Sequence, residues 1–274
     1  MSSAFTEQLR LWWAFLVRDF RTEISYRFSF LMNLGGIFIS ALTYFFLARL
    51  LGEQVTPLLE PYGGDYFAFA LIGVAFAGYF SLGLSGFARA LRQAQTTGTL
   101  EAMMMTPTPV SSIIVGSAVW SYAFTTLRVV VFLALGVLLG MELGSANYLG
   151  GLLTLLISVV AFASIGIIAA SIIMVIKRGD PVTALFSSFA ILVGGVFYPI
   201  EVLPSWLQAV AHLLPITYAL RAMRLALLRG ASWAELAPDL LALALFAVVF
   251  LPLSLLAFRY AVERARDEGS LAHY

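Results

Sequence analysis

The chain has 274 residues, of which 61% are hydrophobic and 11% charged, and its formal net charge is +1. So few charges on so apolar a chain exclude a soluble globular domain of this size and define a polytopic membrane protein. The near-neutral balance argues against a nucleic-acid partner, and the lack of cysteine excludes disulfides and thiol-based metal or redox sites.

In chain order, residues 5–22 come first. Phe5, Leu9, Trp12, Trp13, Leu16 and Phe20 recur on one helical face, with Arg10, Arg18 and Arg21 on the other. This pattern predicts an interfacial amphipathic helix lying among the headgroups. Its apolar residues are periodic rather than contiguous, and no small-residue cleavage site follows, so it does not read as a signal peptide. Six helical spans are then expected, at 28–47, 66–87, 110–139, 148–176, 181–198 and 240–258. The lengths follow from a hydrocarbon core of about 30 Å, which needs about 20 helical residues. Small residues recur within them, as close packing in lipid requires. Pro252 predicts a kink in the last span.

Lys and Arg set the orientation. With the N-terminus in the cytoplasm, eleven basic residues fall in inner segments and four (Arg49, Arg221, Arg224 and Arg229) in outer ones, with Arg128 between. Both termini are therefore expected inside.

The segment Arg92–Pro109 (RQAQTTGTLEAMMMTPTP) is a polar interruption between the second and third spans that carries a helical pattern of its own. Gly98 can act as an N-cap, which puts Glu101 at the third helical position, where a carboxylate suits the positive end of the helix. Leu100, Met103 and Met104 share one face, and Pro107 stops the turn. The expectation is a short helix at the cytoplasmic membrane surface with a deformable methionine face. Such a face fits a groove on another protein or lies flat on lipid headgroups.

The outer segment after the fifth span is irregular. Gly194-Gly195 loosens the span end and Pro199 breaks it. Residues 204–214 (PSWLQAVAHLL) are too few to cross a membrane, so they lie on the surface or dip in and return. Pro215 ends that piece, Thr217–Arg229 forms a second helix, and Gly230 stops it. Ser232 with Glu235 is a capping box, and Pro238 predicts a bend before the last span.

Arg128 is the sharpest anomaly. The apolar run Val129–Leu139 follows it, which places it roughly 16 Å from the outer boundary. A buried Arg either anchors an anionic group of a transported molecule or is held by hydroxyls, amides such as Asn33, or carbonyls inside the bundle. Asp180, Glu142, Glu201, Glu235 and Asp239 all fall at or near span ends. Proton- or sodium-coupled transport therefore has poor support, and energy for uphill transport would have to enter through a partner. The chain has no GxxxxGK[ST] and no HExxH. Gly83-Leu84-Ser85-Gly86 matches the GxSG of intramembrane serine proteases. The only histidines, His212 and His273, lie where neither is expected to reach Ser85.

Three features, in this order, resemble the membrane subunit of the ABC transporter type-2 (ABC-2) permease family. They are the amphipathic helix before the first span, GTLEAMMMTP at 98–107, and GGVFYPIEVLPSWLQAVAHLLPITYALRAMRLALLRG at 194–230. The resemblance covers nearly the whole chain. It implies an all-α polytopic membrane protein with a connecting helix at 1–23, a transmembrane domain at 24–262, re-entrant or outer helices between spans five and six, and a cytoplasmic tail at 263–274. It implies no catalytic residue, metal or cofactor in this chain, with ATP and Mg bound by a separate ATP-binding subunit in the cytoplasm. Gly98, Leu100, Glu101, Met103 and Met104 would form the coupling helix docked on that subunit. A second copy or a paralogous permease would complete the path, with membrane lipid around it and no nucleic acid involved. Arg128, Phe38, Tyr44, Phe76, Tyr79 and Phe189 are pathway candidates by position. The implied function is export of an amphipathic drug, lipid or lipid-linked glycan across the cytoplasmic (inner) membrane. The alternatives are a non-transporting scaffold that recruits a cytoplasmic ATPase and, more remotely, an intramembrane serine protease.

Overall fold

A computed structural model describes residues 2–25, 27–96, 110–176 and 180–267. Among them the chain is helical and contains no strand. Helix α1 is Ser2–Ser25 and α2 is Arg27–Leu51. Two short 3-10 turns flank the single-turn α3, Thr56–Leu59. Helix α4 is Tyr66–Thr96, α5 is Val110–Leu138 and α6 is Tyr148–Ile176. Helix α7 is Asp180–Val193, α8 is Ser205–Ala211, α9 is Pro215–Arg229 and α10 is Trp233–Asp267.

Five of these helices are long and apolar enough to cross a membrane, at Leu31–Leu51, Tyr66–Arg89, Ala118–Leu138, Tyr148–Val175 and Trp233–Arg264. The protein is thus an all-α polytopic membrane protein. The stretch expected as a span at 181–198 behaves differently. Its helix has 14 residues and stops at Val193, so it reaches only about 21 Å. Gly195 then adopts φ +86° and Pro199 is extended, so the backbone leaves the helix before Tyr198. At the last span neither proline ends the helix. Helix α10 runs unbroken through Pro238 and Pro252. Near the second proline, the buried Ser254 hydroxyl donates to the Leu251 carbonyl at 2.7 Å, the kind of local bond by which membrane helices tolerate proline.

Helix α4 is the centre of the bundle. Its apolar window is 83% buried, against 12% for α2, 11% for α5, 33% for α6 and 17% for α10. It contacts α2, α5, α6, α7 and α9. Without a hydrophobic drive between helices in lipid, such centrality depends on close backbone approach and interhelical bonds. Both are present. Gly83 of α4 lies against Phe162 of α6, and a Cβ on Gly166 would overlap the Gly83 carbonyl oxygen. The Tyr79 hydroxyl donates to Thr126 Oγ1 of α5 at 2.8 Å, and Ser81 and Ser187 share a hydroxyl contact of 3.2 Å with α7. Phe80 and Phe162 meet edge-on, with ring centroids 5.2 Å apart.

Helix α6 starts from Asn147, whose side-chain carbonyl accepts from Gly150 N–H at 2.8 Å. That is N-cap chemistry. The Asn147 amide also donates to the Ala231 carbonyl at 2.8 Å, tying the helix start to the α9–α10 turn. Helix α1 packs on α5, where Phe15 lies against Gly116 and Phe20 against Trp120. Arg10, Arg18 and Arg21 are exposed, as an amphipathic helix requires.

The α4–α6 crossing yields a paired prediction. Gly166→Ala forces the two backbones apart and costs about 1–3 kcal/mol, the usual penalty of overpacking. Gly78→Ala, where an added Cβ meets nothing within 4 Å, leaves stability unchanged. Thermal unfolding of the two purified variants in detergent separates them, and equal midpoints would remove the crossing as the constraint.

Candidate functional site

The hairpin at residues 194–230 is densely bonded by polar groups. Helix α9 begins at Pro215, whose missing N–H is harmless at a helix start, and ends on Gly230 at φ +60°. A Cβ at Gly230 would overlap the Ser145 carbonyl. Side chains tie the preceding turns down. Gln208 Nε2 donates to the Leu203 carbonyl at 2.8 Å, Thr217 Oγ1 to Ala211 at 2.7 Å, and the Tyr218 hydroxyl to His212 at 2.9 Å. The Tyr198 hydroxyl reaches back to the Leu192 carbonyl near the end of α7 at 2.6 Å.

Two arginines of α9 anchor this hairpin by different chemistry. Arg224 is 3% exposed. Its Nη1 donates to the Gly195 carbonyl and its Nη2 to the Val196 carbonyl, both at 2.8 Å. Nε and Nη2 also donate to the Phe69 carbonyl of α4, at 3.2 and 3.1 Å. The guanidinium carbon stands 3.3 Å from the centroid of the Phe69 ring. The carbonyls at 195 and 196 have left the helix and need a donor, which Arg224 supplies. Gly73 makes the approach possible, because a Cβ there would overlap the Val196 carbonyl and sit 2.7 Å from Arg224 Nη2. Burial pulls the Arg224 pKa down to about 9, so the group stays protonated at neutral pH.

Arg221, one turn earlier, binds a carboxylate instead. Its Nε lies 2.9 and 2.8 Å from the two oxygens of Asp239, and its Nη2 lies 2.6 Å from Oδ1. Asp239 is 1% exposed, so α9 is clamped to the start of α10. At the same helix start the capping box forms with changed roles. Glu235 accepts both the Ser232 N–H at 2.7 Å and the Ser232 hydroxyl at 2.8 Å.

The pathway candidates do not form one group within the protomer. Phe76 and Tyr79 are buried in the core, 3% and 2% exposed. Tyr44 is half-buried and stacks on Phe197 with ring centroids 6.3 Å apart. Phe38 and Phe189 are exposed, and so is Arg128. The coupling candidates Gly98, Leu100, Glu101, Met103 and Met104 lie outside the described residues.

The GxSG stretch has a packing role. Ser85 Oγ donates to the Ser81 carbonyl one turn back at 2.7 Å, and Gly83 serves the α4–α6 crossing. His212 Nδ1 is held at 2.6 Å by the Gln208 carbonyl in the 194–230 hairpin. Nucleophile and base are not brought together, and His273 lies outside the described residues. Among the described residues no cluster of His, Asp and Glu could hold a metal ion.

Sequence reasoning missed Arg224 by counting it among the outer basic residues. Its position three residues after Arg221, flanked by Met223 and Leu225 in an otherwise apolar helix, is the signal that could have found it.

Fold and hairpin together define a multi-pass membrane protein in which α7 stops at Val193 and is followed by the short, partly exposed α8 and the buried α9. The ABC-2 type transporter family model matches residues 9–228, and the chain belongs to that family. It is therefore the transmembrane permease component of an ABC transporter, and the family implies association with an ABC ATP-binding subunit. A search of curated protein sequences gave no match.

Replacing Arg224 with Met should leave three carbonyls short of a donor and lower stability by about 3 kcal/mol or more. Arg224→Lys should restore only part, because an ammonium lacks the planar fork. Thermal melts of the purified variants measure both, and Arg229→Met, at an exposed position, is the control expected to stay near wild type.

Proposed function

We propose that the chain is the membrane subunit of an ATP-driven exporter that moves an amphipathic molecule, a drug, lipid or lipid-linked glycan, across the cytoplasmic membrane. The observation that carries this reading is the family match over residues 9–228, which includes the methionine-bearing segment between α4 and α5. Two copies, or one copy and a paralogue, enclose the path, and a separate subunit binds ATP and Mg. Both termini and residues 98–106 face the cytoplasm, in keeping with the eleven-to-four bias of basic residues.

In this reading the short helix at 98–106 seats Leu100, Met103 and Met104 in a cleft of the ATP-binding subunit, with Glu101 as a charged contact and Gly98 at its N-cap. Closure of the ATP sites can shift the permease only if that subunit binds one permease state better than the other. Methionine suits the contact because its flexible thioether keeps packing as the cleft changes shape. Helix α1 braces the same side, since it packs on the part of α5 that follows the methionine segment. Short outer loops leave no receptor domain, which favours export over import.

The test is the permease reconstituted with its ATP-binding subunit. Met103→Ala with Met104→Ala should leave the complex assembled and basal ATP hydrolysis present, while transport-linked stimulation falls by about fivefold or more. Unchanged transport would count against the coupling role. The cysteine-free chain allows a direct check of sidedness. A single cysteine at position 100 should react with an impermeant maleimide only from the cytoplasmic face, and reaction from outside would overturn the orientation.

A further inference from the structure

We draw no further inference here: the strongest candidate, the apolar groove of about 350 Å³ between α4, α5, α6 and α10, lined among others by Phe87, Tyr122, Val160, Ser164 and Leu251, carries none, because nothing in the structure shows what covers it and the buried Tyr122 hydroxyl beside it is closed to any occupant.

Discussion

A broken helix inside a membrane protein leaves carbonyl groups that lipid cannot satisfy, and that constraint shapes this fold where α7, α9 and the start of α4 meet. Helix α7 stops at Val193, and the carbonyls of Gly195 and Val196 then point away from any helical ladder. The Arg224 guanidinium satisfies both and adds the Phe69 carbonyl of α4. One side chain thus joins the segment after α7, the N-terminal turn of α4 and α9. Each unsatisfied carbonyl in hydrocarbon would cost several kcal/mol. The cage therefore sets where α9 can sit, and α9 in turn sets Arg221 against Asp239 at the start of α10.

Glycines do complementary work in the same architecture. Gly73 leaves room for the Val196 carbonyl beside α4, and the Gly83–Gly166 contact lets α4 and α6 cross at backbone distance. In lipid this is how a central helix becomes central, since dispersion and hydrogen bonds replace the hydrophobic drive between helices. The burial of α4, far above that of α2, α5 or α10, follows from these approaches. The lightly buried α2 and α5 leave Phe38 and Arg128 on the surface of the protomer. Two arginines of the chain thus differ by environment: Arg224 is enclosed by carbonyls, and Arg128 is exposed.

Much of the fold was legible in the amino-acid order. The periodicity of Phe5 to Phe20 marked α1 as a helix, the apolar runs marked the long helices, and Gly194-Gly195 with Pro199 marked the break after α7. Gly230 and the Ser232–Glu235 pair marked the turn into α10. The extent of α7 and the continuity of α10 through Pro238 were not legible. A helix end depends on what can take its orphan carbonyls, and a proline is tolerated when the packing around it holds the helix together. Both are decided by neighbours distant in sequence.

The sequence alone determined that the chain crosses a membrane several times as helices, that it carries no P-loop, and which family it belongs to. Those properties rest on local composition and short ordered motifs, which need no knowledge of contacts. Only the tertiary structure decided which arginine is a structural anchor and which is exposed, that Phe76 and Tyr79 are packed inside while Phe38 and Phe189 are exposed, and that Gly-x-Ser-Gly is a helix crossing. A side chain's role there is set by groups distant in sequence, 155 residues apart for Arg224 and the Phe69 carbonyl, and no local pattern encodes such a meeting.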